Sequence, residues 1–364
     1  MIDDDFIDYF IEQSESIFPL AVTYWVAKEN GREIRKVHSS LIKGVIWSDS
    51  NLSTLIKEAN KYKLVVVHSF FISRLHQFFS GLSKDIKIVW LFWGADGYSF
   101  TRNNKQWFLP KTWKYKIESE KKNDKRLLRF FYTQYVNWRS SNYVKTLIKR
   151  VDACATWVKY DFEMIHYLHP PMKWLNYCYF THQQMGLDKI EPQPLNLKKL
   201  WLGNSATETN NHLDALDYLC EINWTGQILI PLSYGDQRYA SYVKQYATKQ
   251  FGDNAIFLDK WMPLDEYHKY MNSCGFVWMN HIRQQAAGNI LGALYMGKAV
   301  IMNSSNNLFK TFKDWGILFA TQNMLHNPED IAKDQFCKNK SIIENNLTNE
   351  MSIEGIKAIY NLLS

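Results

Sequence analysis

The feature that most constrains the fold of this chain is the stretch from Gly275 to Asn303, GFVWMNHIRQQAAGNILGALYMGKAVIMN. Its apolar runs at 276–279 and 299–302 have the length of buried strands, and a polar loop and an apolar helical segment separate them. Gly297, which follows the helical segment, is typical of a helix end. The pattern therefore predicts a strand–loop–helix–strand unit, the building block of a parallel sheet.

The loop of this unit carries groups that suit an anion. It leaves the carboxyl end of its strand, the edge of an open α/β sheet where ligands bind. Gly288 and Asn289 open the following helix, whose first backbone N–H groups point outward. Arg283 adds a positive charge, and Gln284 and Gln285 add amide donors. One interpretation is a cradle for a pyrophosphate and the other is an ordinary strand–helix loop; the stretch alone leaves both open.

Strands and helices alternate along both halves of the chain. We therefore predict an α/β protein with two Rossmann-like parallel-sheet domains that face a central cleft. The N-terminal domain is predicted over residues 1–190 and the C-terminal domain over 197–345, and a helix within 346–364 is expected to pack back on the first domain. Because the first predicted element is a helix over 6–17, the first strand of the N-terminal domain is expected to be absent.

Polar side chains follow two predicted strands of the first half. His68 follows the apolar run at 64–67, and Asp96 follows the run at 86–92. A carboxylate at a strand end is a candidate general base that takes a proton from a hydroxyl group, and His68 is a candidate partner. The alternatives are a turn-forming Asp before Gly97 and a His that is simply hydrogen-bonded in place.

The loop that follows the strand at 197–202 is a second candidate for an anion site. Gly203, Asn204 and Ser205 end the strand and precede a helix, so their backbone and side-chain groups can bind an anion or cap the helix. The pattern matches neither the dinucleotide-binding fingerprint nor the Walker motif. It therefore leaves both interpretations open.

Positive charge is concentrated in residues 101–150, named here the basic-aromatic segment. It carries 14 lysines and arginines and three acids, whereas the whole chain has a net charge of +7. Aromatic rings between the charges favour an anionic membrane surface, with a solvated hairpin around an aromatic core or a nucleic-acid site as alternatives. The residues predicted to face the membrane are Trp107, Trp113, Lys121, Lys122, Lys125, Arg126 and Arg129.

Other features favour a cytoplasmic protein that is soluble or peripheral. The five cysteines are far apart and odd in number, which favours reduced thiols. The amino terminus lacks a signal-peptide pattern, and no apolar run has the roughly 18 residues of a membrane span. Neither a Cys/His metal spacing nor an Asp-x-Asp motif is present, so we expect no metal cofactor.

A set of short motifs resembles glycosyltransferase family 56, the family of the dTDP-4-acetamido-4,6-dideoxygalactose transferase of enterobacterial common antigen synthesis. The motifs are spread over residues 68–315 in the order found in the family. They are Trp93-Gly94-Ala95-Asp96 with Tyr98, Gly203-Asn204-Ser205 with Asn211-His212, Pro231 with Tyr234, Arg283-Gln284-Gln285 with Gly288, and Gly297 before a strand that ends in Asn303.

The resemblance implies a GT-B fold and a hexosyltransferase that moves a sugar from a dTDP-linked donor to a lipid-linked saccharide in bacterial surface-glycan synthesis. It implies a peripheral protein on the cytoplasmic side of the inner membrane. Donor-binding residues would be Gly203, Asn204, Ser205, Tyr234, Arg283, Gln284, Gln285, Gly288 and Asn289. Alternatives are a GDP- or UDP-sugar donor, a glycan or protein acceptor, or, in another class, a nucleic-acid-binding protein.

Two features depart from the family and its fold. The family begins with a strand and a loop that border the active cleft, whereas this chain begins at the following helix. Many GT-B enzymes also carry a Glu that holds the ribose hydroxyls, five residues before the Gly that ends the helix. Gly292 occupies that position here.

Overall fold

The computed structural model describes residues 1–28, 31–70, 72, 74–98, 104–121, 142–332 and 334–363. The chain divides into two compact units. Unit 1 contains Met1–Arg102, Thr133–Met185 and Leu347–Ser364, and unit 2 contains Asn103–Tyr132 and Gly186–Asn346. The described residues 104–121 thus belong to unit 2, whereas they were predicted to lie in the N-terminal domain.

Unit 1 contains two parallel sheets. One has four strands in chain order, β3 (Leu64–Val67), β4 (Lys87–Leu91), β5 (Ala153–Ala155) and β6 (Lys173–Leu175). The other pairs β1 (Tyr24–Lys28) with β2 (Ile42–Ile46). The helices of this unit are α1 (Phe6–Ile17), α2 (Asp49–Ala59), α3 (Leu75–Gly81), α4 (Ala95–Tyr98), α6 (142–148), α7 (Lys159–His166) and α14 (Asn349–Tyr360).

The last helix, α14, packs within unit 1. The Tyr360 ring lies 4.3 Å from the Phe18 ring at the end of α1, measured between centroids. Ser352 Oγ donates to the Cys178 carbonyl at 2.9 Å. A Cβ atom at Gly355 would lie 2.7 Å from the Tyr177 ring, so only glycine allows this approach without a shift.

Unit 2 contains one five-stranded parallel sheet with the order β11-β10-β7-β8-β9. Its strands are β7 (Lys199–Leu202), β8 (Gln227–Pro231), β9 (Ala255–Leu258), β10 (Phe276–Met279) and β11 (Ala299–Met302). Its helices are α5 (Pro110–Lys121), α8 (His212–Glu221), α9 (Gln237–Phe251), α10 (Leu264–Asn272), α11 (Ala287–Tyr295), α12 (Asn307–Asp314) and α13 (Lys338–Asn346).

The strand–loop–helix–strand prediction is confirmed by β10, α11 and β11. Every residue of both strands is buried, as the continuous apolar runs require of a strand covered on both faces. The rings of Trp201 and Trp278 lie in the interior of unit 2. Both units therefore have the α/β architecture with parallel sheets that the alternation of elements predicts.

Candidate functional site

The strand order of unit 2 reverses direction at one point of its sheet, between β7 and β10. From β7 the chain adds β8 and β9 on one side, and then crosses to add β10 and β11 on the other. The loops after β7 and β10 therefore leave the same edge from neighbouring strands and run toward opposite sides. Such a switch point at the carboxyl ends of parallel strands is where open α/β sheets bind their ligands.

The loop after β7 has a conformation that depends on Gly203. Its φ is +72°, and a Cβ atom there would lie 2.5 Å from His212 Nε2 and 2.8 Å from Asn210 Oδ1. The Gly203 N–H donates to the Trp278 carbonyl of β10 at 2.9 Å. Gly203 thus lets the loop turn tightly while it remains bonded to the neighbouring strand.

Three of the predicted donor-binding residues form one hydrogen-bonded group. Asn204 Nδ2 donates to the Tyr234 hydroxyl at 2.7 Å, and Gln285 Nε2 donates to Asn204 Oδ1 at 3.2 Å. The Thr209 hydroxyl donates to Gln285 Oε1 at 2.6 Å. These bonds fix the side-chain amides, and the hydroxyl of half-exposed Tyr234 lies at the end of the group.

The loop after β10 leads into the amino end of α11. The helix begins at Ala287, after Ala286 in the left-handed conformation at φ 56°, and the Ala286 side chain has no group that could cap the first N–H groups. The prediction that Gly288 opens the helix is wrong by one residue, because the turn at Ala286 provides the reversal. Arg283, Gly288 and Asn289 are all partly exposed, so this loop carries a positive charge close to the amino end of a helix.

Three other predicted residues of these loops have mainly internal roles. Gln284 is buried, and its carbonyl accepts a bond from Arg283 Nη1 at 3.4 Å. Asn289 Nδ2 donates to the Tyr267 hydroxyl at 3.0 Å. Ser205 is buried, and its hydroxyl lies 2.9 Å from the Thr207 hydroxyl.

Three buried polar residues that the sequence did not indicate hold the loops. Asn210 Oδ1 accepts from the Asn204 N–H at 2.9 Å and lies 2.7 Å from His281 Nε2. Burial lowers the pKa of His281 to about 3, so the ring is neutral and Nε2 carries the hydrogen that Asn210 accepts. Asn306 Nδ2 donates to the carbonyls of His281 at 3.0 Å and Arg283 at 2.8 Å. Each of these bonds either joins residues that are distant in sequence or involves a backbone atom. No local sequence pattern therefore indicates the bonds.

In unit 1, Asp96 is buried in α4, just beyond the carboxyl end of β4. Its Oδ2 accepts from Trp90 Nε1 at 2.9 Å and from the Phe70 N–H at 3.1 Å. Burial raises the pKa of Asp96 to about 6, although these hydrogen bonds oppose the shift. The carboxyl group therefore changes charge just below neutral pH.

His68, after the neighbouring strand β3, is also buried. Its ring meets the Phe10 ring edge to face at 4.4 Å, and burial holds its pKa well below the usual range. Neither ring nitrogen has a hydrogen-bond partner in the part of the chain that the structure describes. His68 and Asp96 are therefore not hydrogen-bonded to each other, and their catalytic roles stay predictions.

The first part of the basic-aromatic segment packs on unit 2. The backbone N–H and the hydroxyl of Thr112 both donate to Asp214 Oδ2, at 3.0 and 2.6 Å. Lys111 pairs with Asp217 at 2.6 Å, and Lys116 pairs with Glu208. These contacts hold α5 within unit 2. Two lysines of the segment, Lys111 and Lys116, are therefore already paired with acids of the same unit.

Asn211 joins this segment to both site loops. Its Oδ1 accepts from the Leu109 N–H at 2.9 Å, and its Nδ2 lies within hydrogen-bond distance of the carbonyls of Trp107 and Asn280 at 3.2 and 3.1 Å. Asn280 Nδ2 donates back to the Asn211 carbonyl at 3.2 Å. The strand ends and the start of the basic-aromatic segment thus form one bonded structure.

Only part of the predicted membrane-facing set can be located. Trp107 and Trp113 are half-buried, and Trp113 packs on Phe108 with 5.7 Å between ring centroids. Lys121 ends α5. The other members, Lys122, Lys125, Arg126 and Arg129, lie outside the described residues. No helix among the described residues combines the length and apolar character needed to cross a membrane.

Comparisons with known proteins agree with this architecture. Residues 149–343, more than half of the chain, match the family described as 4-alpha-L-fucosyltransferase glycosyl transferase group 56. No curated protein matches the chain.

Three solved structures illustrate the likeness in fold. A glycosyltransferase from Rickettsia africae ESF-5 has a TM-score of 0.62 at 12% identity, over 98% of this chain and 94% of that one. A sucrose-phosphate synthase from Thermosynechococcus elongatus has a TM-score of 0.59 at 11% identity, over 98% and 92%. Anabaena HepE, in complex with UDP, has a TM-score of 0.57 at 12% identity, over 88% and 85%.

The two parallel-sheet units have the GT-B fold of these solved structures. The chain belongs to glycosyl transferase group 56, the 4-alpha-L-fucosyltransferase family. It is therefore a transferase of EC class 2.4 whose reaction is glycosyl transfer from a nucleotide sugar. The predicted fold and enzyme class are confirmed.

Replacing Asn306 tests whether its side chain holds the Arg283 loop. Asn306→Asp keeps the oxygen that caps α12 by accepting from the Leu308 N–H, but it removes both donor bonds to the His281 and Arg283 carbonyls. We expect a loss of about 1–3 kcal/mol in the free energy of unfolding, measured by urea denaturation, because a buried carbonyl and a partly buried one lose their partner. If only the cap mattered, Asn306→Asp would match the wild type and Asn306→Ala alone would be destabilised.

Proposed function

We propose that the enzyme transfers a deoxyamino sugar from a dTDP-linked donor to a lipid-linked saccharide in bacterial surface-glycan synthesis. The observation that carries the proposal is the amino end of α11, where Ala286 offers no side-chain acceptor, with Arg283 in the same loop at the switch point of unit 2. This site would bind the donor, and unit 1 would provide the acceptor-side residues. The proposed donor-binding residues remain those of the two loops, with Tyr234.

The diphosphate is the part of the donor that this site suits. When the sugar leaves, negative charge grows on the diphosphate, and helix N–H groups with a guanidinium stabilise that charge without moving. Arg283 binds phosphate oxygens through a planar, permanently charged fork. The complex of HepE with UDP supports a nucleoside diphosphate in a related fold. We propose that these groups replace a metal ion in charge neutralisation.

Gly292 supports thymidine diphosphate as the nucleotide of the donor. This residue is buried, and a Cβ atom there would lie 3.5 Å from His268 Nε2, so the His268 ring fills the space beside it. A carboxylate that would grip two ribose hydroxyls is missing at this position. Thymidine diphosphate has no 2′-hydroxyl, so it loses less from this change than UDP or GDP does.

Arg283→Ala tests the assignment of the diphosphate. We expect affinity for dTDP to fall by about 1.5–3 kcal/mol, roughly 10- to 150-fold, because a charge-assisted hydrogen bond is lost. Isothermal titration against dTDP, UDP and GDP measures this loss and ranks the nucleotides. The matched control is Lys249→Ala, which removes an exposed cation from the last turn of α9.

The same titration tests whether donor binding requires a metal ion. The affinity of the wild type for dTDP, and its turnover, should be unchanged by EDTA. Loss of activity in EDTA that added Mg²⁺ restores would overturn the proposed metal independence.

An Arg283→Ala variant that binds dTDP as tightly as the wild type would show that Arg283 is not part of the donor site.

We also propose Asp96 as the general base that takes the proton of the acceptor hydroxyl, with His68 beside it. Support comes from its place beyond the end of β4 and from a pKa of about 6, near the optimum for a base at neutral pH. Since a base acts when ionised, kcat/KM should rise with pH through about 6. His68 follows the adjacent strand, which puts the two residues at one edge of the sheet.

Asp96→Asn tests this role. We expect turnover to fall by about 10²–10⁴-fold with dTDP affinity unchanged, and the rise of kcat/KM near pH 6 to vanish. The measurement is a pH–rate profile of both proteins, with circular dichroism to verify folding. Normal turnover by a folded Asp96→Asn protein would reduce Asp96 to a structural residue.

A lipid-linked acceptor requires the enzyme to reach a membrane, and we propose that the basic-aromatic segment binds the cytoplasmic leaflet of the inner membrane. Since Lys111 and Lys116 already pair with acids of unit 2, the contact is assigned to Trp107, Trp113 and the cations from Lys121 to Arg129. Each cation near anionic lipid contributes roughly 1 kcal/mol, and each aromatic ring favours the headgroup level.

Liposome flotation tests this contact. The wild type should float with vesicles that contain anionic lipid, less so at high salt, and a variant with Lys121, Lys122, Lys125 and Arg126 changed to Glu should not. The matched control changes four exposed lysines of unit 2 to Glu, for the same change in charge: Lys198, Lys249, Lys260 and Lys313. Equal flotation by both variants, or labelled RNA bound in place of vesicles, would overturn the membrane proposal.

A further inference from the structure

Two buried carboxylates connect the loops at the carboxyl edge of the four-stranded sheet in unit 1. Strands β3, β4 and β5 are neighbours in this sheet. Asp96, after β4, accepts from the Phe70 N–H, after β3, at 3.1 Å. Asp161, in the first turn of α7 after β5, accepts from the Tyr98 hydroxyl of α4 at 2.6 Å. Each carboxylate therefore joins one pair of adjacent strand ends.

The bond between Tyr98 and Asp161 lies in the interior of unit 1. Tyr98 is 4% exposed and Asp161 is 1% exposed. The distance of 2.6 Å is typical of a hydroxyl group that donates to a carboxylate, and such bonds are stronger than those between neutral groups. Burial also limits the competition of water for both partners. The bond is therefore a firm anchor for the end of α4.

Helix α4, which carries Asp96, depends on such anchors. It has only four residues, Ala95–Tyr98, too few to be stable without contacts to its surroundings. A Cβ atom at Gly97 would lie 2.1 Å from the Phe92 ring, so the helix packs directly on the end of β4. The polar side chains of the helix are those of Asp96 and Tyr98. The place of the Asp96 carboxylate therefore depends on the bond that Tyr98 makes to α7.

The other titratable groups at this edge are uncharged near neutral pH. Burial raises the pKa of the Cys154 thiol and of the Tyr179 hydroxyl, and the nearby carboxylates of α4 and α7 add to both shifts. Burial also keeps the His68 ring neutral. The ionisation of Asp96 is thus governed by its burial and by the hydrogen bonds that it accepts.

We propose that Tyr98 and Asp161 are positioning residues for Asp96. Their hydrogen bond holds α4 where the Asp96 carboxylate keeps its donors and can meet the acceptor hydroxyl. The inference rests on the proposed role of Asp96 as the general base, and it makes that role depend on the element that follows β5. Because a small displacement of a base slows proton transfer, loss of the bond should lower turnover and leave dTDP affinity unchanged.

Tyr98→Phe tests the inference, because it removes the hydroxyl group and keeps the ring. If α4 shifts, Asp96 loses part of the bonds from Trp90 and Phe70 that stabilise its ionised form, so its pKa rises. We expect the midpoint of Asp96 ionisation to move up by about half a pH unit and kcat to fall about tenfold.

Two measurements follow these changes. Infrared spectra of the carboxyl C=O band between about pH 4 and 8 report the ionisation directly, and Asp96→Asn identifies the band. Turnover is measured as dTDP release from dTDP-4-acetamido-4,6-dideoxygalactose, with a lipid extract of bacterial membranes as the acceptor. The infrared midpoint requires neither donor nor acceptor.

Two matched variants separate positioning from stability. Tyr24→Phe removes another buried tyrosine hydroxyl of unit 1 that donates to a carboxylate, that of Glu15 at 2.8 Å, and it should change neither the Asp96 midpoint nor kcat. Asp161→Asn keeps an oxygen that can accept from the Tyr98 hydroxyl, so kcat should stay within about threefold of the wild type. Circular dichroism verifies that each variant folds.

The outcomes separate this inference from the role of Asp96 itself. A raised midpoint and a reduced kcat in Tyr98→Phe, with Tyr24→Phe unchanged, support the positioning role. A folded Tyr98→Phe protein with the midpoint and kcat of the wild type would overturn it, and so would an equal shift in Tyr24→Phe. Normal turnover by Asp96→Asn would instead contradict the role of Asp96 as the base.

Discussion

The pairing of β7 with β10 is the contact on which the candidate site depends. Because these neighbouring strands send their loops to opposite sides, the sheet edge opens at this point and the loop backbones lose their ladder partners. The Gly203 N–H bond to the Trp278 carbonyl extends the ladder by one residue, and beyond it the buried side chains of Asn210, His281 and Asn306 replace the missing backbone bonds. Loss of one leaves a buried polar group unsatisfied, so the loops hold their shape before any ligand binds.

The two candidate groups of unit 1 respond to burial in opposite ways. Asp96 is surrounded by donors, which partly offset the cost of burying its charge, so its pKa remains close enough to neutral for proton transfer. His68 lacks such partners in the part of the chain that the structure describes, and burial keeps its ring uncharged. At neutral pH the carboxylate is therefore the charged member of the pair.

The sequence predicted those features that depend on short-range pattern. The runs at 276–279 and 299–302 became β10 and β11, and Asn204, Tyr234 and Gln285 meet because parallel strands bring their carboxyl ends to one edge. The roles of Asn210 and Asn306 were not predictable, because an Asn in a polar loop gives no sign of a partner many residues away. Three observations therefore had to come from the structure: which amides bond each other, where α11 starts, and which residues support Arg283.

The placement of α5 shows a second limit of sequence reasoning, since a count of charges does not tell which of them are free. Lys111 and Lys116 contribute to the excess of positive charge in the basic-aromatic segment, but Asp217 and Glu208 pair with them within unit 2. The same contacts give the segment a consequence that composition does not suggest. Because Asn211 bonds the backbone at Trp107 and Leu109 and also Asn280 after β10, a surface that fixes the position of this segment also fixes the two loops at the switch point. The proposed membrane contact and the proposed donor site are thus joined by the hydrogen bonds of Asn211, without a change in the sheet itself.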